Sequence, residues 1–169
     1  MNAEERRVKL FELLRSSNRP LSGSELARIF KVTRQIIVQD IAILRASGND
    51  ILATSKGYIA GDSPQLCSSQ IAVCHDAKET RKELMALVQC GCKVVDVTVE
   101  HPIYGELRGM LMLQSSKDVE EFMDNIAKSN ASLLLNLTGG VHLHKIEALN
   151  EDSINKAKEM LREMGILLE

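Results

Sequence analysis

The chain changes character at Gly61-Asp62-Ser63-Pro64-Gln65, where glycine and proline punctuate it and the charge balance inverts. Residues 1–60 carry ten Lys/Arg against six Asp/Glu. The remainder carries eleven against seventeen, and together they give the net charge of −2. A small basic half joined to a larger acidic half is expected when only the first half meets phosphate. A chain of 169 residues has room for two small domains, and the seam predicts them at 1–61 and 66–169. Their cores must be aliphatic and methionine-based, because the sequence has no Trp, three Phe and two Tyr.

No stretch approaches the roughly 18 apolar residues of a membrane span. The start, Met1-Asn2-Ala3-Glu4-Glu5-Arg6-Arg7, runs straight into an amphipathic pattern with no apolar signal region. A cytoplasmic protein without membrane contact is expected. Cys67, Cys74, Cys90 and Cys92 do not suggest a disulfide framework. Cys90-Gly91-Cys92 lies where a helix ends at Gly91, so it reads as a buried thiol and a helix-end residue rather than a thiol or metal site.

The first sixty residues read as a winged helix-turn-helix. Ala3 to Ser16 is helical, with Val8, Leu10, Phe11, Leu13 and Leu14 as a broad apolar face. A second helix begins near Ser22, where Ser22 and Glu25 have capping-box spacing; Leu26, Ile29 and Phe30 form its predicted buried stripe. Thr33 N-caps a third helix to about Ser47, with Ile37, Ile41 and Leu44 on one face. Thr33, Arg34, Gln35 and Gln39 fall at its start and on its outer side, and these residue types reach base edges and phosphates in a major groove. Ile51–Thr54 and Tyr58–Ala60 then make a hairpin wing, with Lys56 at its tip as a further backbone contact. A helical protein-interaction module is the alternative, but the tight turn, polar-started third helix and wing together favour double-stranded DNA.

The second half reads as α+β. Strands are predicted at Ile71–His75, Lys93–His101, Leu107–Gln114 and His142–Ala148, with a short one at Ile166–Leu168. Helices are predicted at Lys78–Gln89, Lys117–Lys128 (capped by Ser115-Ser116, with Ser116 before the acidic first turn) and Asp152–Glu163. On the second of these strands, alternation puts Val95, Val97 and Val99 on one face and Val94, Asp96, Thr98 and Glu100 on the other.

The same alternation places His142 and His144 side by side on one face, directly after Thr138-Gly139-Gly140, with Val141, Leu143 and Lys145 on the opposite face. Two such imidazoles can chelate a divalent cation. His75 and Glu83 frame the first strand-to-helix connection and are candidate partners. A three-His, one-Glu set suits zinc, nickel, iron(II) or manganese. The competing reading is of solvated surface histidines.

Two groups of segments resemble known families. Thr33-Arg34-Gln35-Ile36-Ile37-Val38-Gln39-Asp40-Ile41, Ile51-Leu52-Ala53-Thr54 and Gly57-Tyr58 resemble the HTH_11 class of winged helices found in biotin-repressor-like regulators. His101-Pro102-Ile103-Tyr104-Gly105-Glu106-Leu107-Arg108-Gly109 and Leu137-Thr138-Gly139-Gly140-Val141-His142-Leu143-His144 are similar to the 3H domain, named for its histidines. The last string is the specific one; the helix-turn-helix string is shared more widely. The combination covers nearly the whole chain and resembles the nicotinic-acid-responsive transcriptional repressors of the NiaR type. That resemblance implies an HPr-like open-faced β-sandwich for the second half. It also implies a homodimeric repressor of niacin-uptake or NAD-precursor genes, with nicotinic acid as co-repressor and a divalent metal in the 3H domain. By position, the implied ligands are His75, Glu83, His142 and His144. His101, the remaining family histidine, lines the effector pocket or the dimer contact, and Arg108 is a candidate charge partner for the effector's carboxylate.

Two other classes compete. A metal-dependent enzyme would activate water at the same ligands, but no second catalytic constellation accompanies them. A metal-responsive regulator would use the cation itself as signal.

Overall fold

The computed structural model describes residues 2–61 and 66–169. Most of the predicted seam, residues 62–65, lies outside the described residues. The chain separates into two compact units, Met1–Pro64 and Gln65–Glu169.

In the first unit three helices, α1 (Ala3–Ser16), α2 (Gly23–Phe30) and α3 (Arg34–Ala46), precede the hairpin β1 (Ile51–Thr54) and β2 (Gly57–Ala60). Local chemistry sets the boundaries. Asn2 and Glu5 form a capping box at α1, and the Thr33 hydroxyl accepts the Ile36 N–H at α3. Lys31 takes the left-handed conformation between α2 and α3, which turns the chain within three residues, Lys31 to Thr33. Only half of the predicted Ser22/Glu25 box forms. Ser22 accepts the Glu25 N–H at 3.1 Å, but the Glu25 carboxylate turns to Arg19 at 2.6 Å. Leu10, Leu14, Leu26 and Ile37 are fully buried, each contributing about 1.5–3 kcal/mol. Val8 and Ile29, expected on the buried stripes, are exposed instead. A core this small is filled by fewer residues than the broad apolar stripes offer. Gly57 has φ +132, and a Cβ there would lie 2.2 Å from the Leu21 carbonyl, so glycine lets Leu21 bridge to Tyr58 beside the hairpin.

The second unit is a five-stranded antiparallel sheet of order β5-β4-β6-β3-β7. Its strands are β3 (Cys67–Cys74), β4 (Lys93–His101), β5 (Gly105–Leu113), β6 (Val141–Ala148) and β7 (Leu167–Leu168). Its helices are α4 (Thr80–Gln89), α5 (Ser116–Ser129) and α6 (Glu151–Glu163). One core takes Ile71 and Val73 from β3, Val94 from β4, Ile146 and Ala148 from β6, and the buried faces of all three helices. This is the arrangement of an open-faced sandwich, and the fold is α+β.

Several boundaries differ from the sequence reading. β3 starts four residues before Ile71, and α4 is led in by a single 3-10 turn, Ala77–Glu79, capped by the Asp76 side chain. Of the Ser115-Ser116 pair it is Ser115 that caps α5, because Asp118 completes a capping box with it, and Ser116 is the first helical residue. The strict alternation on β4 is also broken. Its register slips against β5 between Val94 and Asp96, and against β6 between Val94 and Thr98. Val94 and Val97 consequently serve the same core. Cys92 is buried in that core, where desolvation, then the neighbouring Cys90, pushes its thiol up to about 11. Such a thiol is inert.

Candidate metal centre

Cross-strand partners share a face, and the register pairs His142 with Val73 and His144 with Ile71. The couplet therefore faces the same side as Ile146 and Ala148, inward beneath the helices. Both rings are 2 % exposed, which removes the solvated-surface reading. Helix α4 brings Glu83, fully buried, onto them. His75 arrives from the end of β3, and its Nε2 lies 2.6 Å from Glu83 Oε2. His142 Nε2 lies 3.5 Å from the same oxygen, and His144 Nε2 lies 3.3 Å from Oε1. Donor atoms of His75, Glu83 and His142 all fall within 4.8 Å of one another. The His142 ring stands edge-on to those of His75 and His144, with centroids at 4.8 and 5.0 Å.

The tautomers are set from outside the cluster. Nδ1 of His75 meets the Asp76 carbonyl at 2.7 Å, Nδ1 of His142 the Gly140 carbonyl at 2.8 Å, and Nδ1 of His144 the Asp96 carbonyl at 2.6 Å. A carbonyl only accepts, so each Nδ1 carries the proton and each neutral ring turns an Nε2 lone pair toward Glu83. Three lone pairs and a carboxylate then face one another in a buried site. Only protons or a cation make that arrangement favourable. Glu83 Oε1 and His144 Nε2 are buried without a hydrogen-bond partner despite their 3.3 Å approach. The donor set, the orphaned atoms and the fixed tautomers all fit a divalent cation.

Without a cation, protons take that role. Burial opposes charge on His75 and His144, but hydrogen bonding and attraction to Glu83, with the two carbonyls, outweigh it and raise both pKa values. Burial likewise opposes ionisation of Glu83, yet attraction to His144 and the close approach of the His142 and His75 rings hold its carboxyl well below the usual carboxylate range.

Gly140 makes the convergence possible. Its φ is +102, and a Cβ would sit 2.4 Å from the His75 carbonyl oxygen. Its own carbonyl accepts both the His75 N–H, at 3.3 Å, and the His142 ring. The Thr-Gly-Gly string is thus the joint that lets β3 and β6 deliver their histidines to one point.

The structure does not bring His101 or Arg108 into this cluster. His101 Nδ1 accepts the N–H groups of Ile103 and Tyr104, which holds the β4–β5 turn. Arg108 is half-exposed, 3.0 Å from Glu106 and 3.6 Å from Asp96. Between β4 and β6 lies a cavity of about 890 Å³ lined by His142, Thr98, Glu100, Glu106, Leu137 and Val141 among others, but by neither His101 nor Arg108.

On α3, Thr33, Arg34, Gln35 and Gln39 are exposed, and Lys56 sits in the β1–β2 turn. Arg34 lies along Gly23, where a Cβ would come within 3.3 Å of it. Val38 and Ile43 are also exposed, flanking the buried stripe of α3 on its two sides, and sequence reasoning passed over them. It also missed Asp40, buried on α3, which binds Arg6 of α1 at 2.6 and 3.2 Å and Arg7 at 3.6 Å. An acidic residue inside an otherwise apolar helix face was the available clue.

Residues 68–169 match the family described as 3H domain, and residues 6–59 match one described as HTH domain. The chain is 40 % identical over 166 residues to the probable transcription repressor NiaR of Thermotoga maritima, covering 98 % of this chain and 95 % of that protein. It is 41 % identical over 167 residues to the transcription repressor NadR of Bacillus subtilis, covering 96 % and 93 %. The chain belongs to this family of transcription repressors. Its helix-turn-helix unit is the DNA-binding part, and the protein is a regulator rather than an enzyme. A weaker likeness, 28 % over 101 residues, is to an uncharacterized protein of Methanothermus fervidus, of which it spans 16 %. Among the described residues no helix is long and apolar enough to cross a membrane.

Proposed function

We propose that the protein is a homodimeric repressor of niacin-uptake or NAD-precursor genes, with nicotinic acid as co-repressor and a divalent transition metal in the second unit. The observation that carries the metal is the convergence of three carbonyl-locked imidazoles on one buried carboxylate. His75, Glu83, His142 and His144 hold the cation, which when bound supplies a Lewis-acid site for a carboxylate ligand. Zinc, nickel, iron(II) and manganese all suit this set. The names of the relatives support a repressor, and the resemblance of the Thr-Gly-Gly-Val-His-Leu-His string to nicotinic-acid-responsive repressors supports the co-repressor.

The effector is assigned to the cavity between β4 and β6, because it shares His142 with the cluster. His101 shapes its mouth by holding the turn at Ile103 and Tyr104. Arg108, bonded to the cavity residue Glu106, is the cation that the effector's carboxylate recruits. Thr33, Arg34, Gln35, Gln39 and Lys56 meet the operator. A co-repressor acts only if it binds the DNA-competent arrangement more tightly. The lever is the spacing of the two winged helices, because half-sites lie about 34 Å or its multiples apart.

The test is fluorescence anisotropy of metal-loaded protein on the promoter DNA beside its own gene, with and without nicotinic acid. Tighter binding with nicotinic acid is expected. Metal-dependent affinity indifferent to nicotinic acid would make the protein a metal sensor instead, and indifference to both would reject the reading.

A further inference from the structure

We infer that Asp96 is the positioning residue of the metal cluster, clamping His144 through its main chain and its side chain at once. The inference rests on the metal reading above. The Asp96 carbonyl accepts the His144 Nδ1–H at 2.6 Å, while its Oδ1 accepts the N–H of the next residue, Lys145, at 2.9 Å. One residue of β4 therefore fixes both the ring of His144 and the peptide that follows it.

This pairing departs from a regular ladder. In an antiparallel sheet a strand carbonyl is normally spent on a main-chain N–H of its neighbour. Here β4 slips register against β6 between Val94 and Thr98, and the Asp96 carbonyl reaches an imidazole while its carboxylate takes over the main-chain N–H. The slip is matched on the other side. β5 also shifts against β4 between Val94 and Asp96, and the buried Met112 takes φ +56 in that stretch. A left-handed non-glycine costs about 1–3 kcal/mol and persists where its surroundings over-determine it. The carboxylate is itself buried, at 4 % side-chain exposure, with its second oxygen 3.6 Å from Arg108. Burying a charge in a bulge is unfavourable unless its bonds are made, and here the bonds it makes orient a ligand. Support of this kind fixes ring orientation and tautomer, and its loss lowers metal affinity by roughly 10–100-fold.

Three variants separate positioning from general packing, with Co²⁺ as the probe. Asp96→Ala removes the carboxylate and keeps the main-chain carbonyl. Asp96→Asn keeps an acceptor oxygen toward Lys145. Met110→Leu alters the cross-strand partner of Asp96 at nearly constant volume. Asp96→Ala should lose roughly 10–100-fold in Co²⁺ affinity and change the visible ligand-field spectrum. Asp96→Asn should restore the spectrum, and Met110→Leu should match wild type in both. The inference is overturned by an unchanged Asp96→Ala, by an Asp96→Asn as impaired as Asp96→Ala, or by an equal loss in Met110→Leu. Wild type that binds no Co²⁺, zinc or nickel would instead remove the metal reading. A metal-free readout stands beside these. Nitrogen-15 NMR of the apo protein should show a slowly exchanging Nδ1–H on His144 in wild type and Asp96→Asn, and faster exchange in Asp96→Ala. Its absence from wild type overturns the clamp whatever the metal does and whether or not Asp96→Ala folds.

Discussion

Gly140→Ala should damage the candidate metal centre without touching a ligand. At φ +102 an L side chain is strained, at a cost of about 1–3 kcal/mol. The new Cβ would lie 2.4 Å from the His75 carbonyl oxygen and 3.1 Å from its carbon. Both are backbone atoms, so the start of β6 or the end of β3 must move. Either shift stretches the two hydrogen bonds that the Gly140 carbonyl accepts, from the His75 N–H and the His142 ring. At about 0.5–1.5 kcal/mol each, these bring the total to roughly 2–6 kcal/mol of stability. Because two ligands are displaced together, metal affinity should fall by at least about tenfold. Gly139→Ala is the internal control. Gly139 also has positive φ, +64, but nothing lies within 4 Å of its Cβ position, so only a left-handed cost of about 1–2 kcal/mol remains. Thermal unfolding in chelator measures the stability loss, and calorimetric zinc titration measures affinity. Wild-type affinity in Gly140→Ala, or an equal loss in Gly139→Ala, would refute the argument.

The double variant His142→Ala/His144→Ala should purify without metal and lose any nicotinic acid response, yet keep non-specific DNA binding, since the winged helix is a separate compact unit; full metal occupancy by elemental analysis would exclude the site. Arg34→Ala should weaken operator binding by roughly 1–3 kcal/mol if the guanidinium reads a guanine, or uniformly across sequences if it meets phosphate. Unchanged affinity and salt slope would take Arg34 out of the interface. Metal affinity should begin to fall on acidification while the pH is still above the ordinary histidine value of about 6.5. The reason is that His75 and His144 hold protons above that value in the apo state, and a ligand must release its proton to bind. Affinity that stays flat down to pH 6 would contradict it.

Much of this architecture was legible because it is local. Thr33 caps α3 where a threonine before an apolar helical pattern says it should, and period-two alternation put His142 and His144 on one face. Which face was harder. Histidine favours the surface by composition, so the couplet reads as solvated until Ile146 and Ala148 are noticed two and four residues on, in phase with it and deep in the core. That phase was the overlooked signal. The register slip around Asp96 has no local mark, because it arises from three strands fitting together; of the Arg6–Asp40 pair the sequence marks only Asp40, as an acid on an apolar face, and not its partner 34 residues away.

Placing the cluster on the inner face has an energetic consequence. His142 and His144 occupy positions where the sheet elsewhere presents Ile71, Val73 and Ile146 to the helices, and His75 and the buried Glu83 of α4 add two more polar side chains to that layer. A hydrophobic core of this size loses stability at each such position unless the groups are mutually satisfied. In the apo state the three Nδ1–H bonds and shared protons satisfy them in part, with Glu83 Oε1 and His144 Nε2 left over. A cation bound by the folded unit and not by the open chain stabilises it by mass action, about 2.7 kcal/mol at a hundredfold excess over Kd. On the proposed reading, metal occupancy and the integrity of the second unit are therefore one equilibrium. Chelator should lower the unfolding midpoint of the second unit and leave that of the first unit in place. Differential scanning calorimetry of the full chain resolves the two, and a chelator shift confined to the first unit, or absent from both, would break the link.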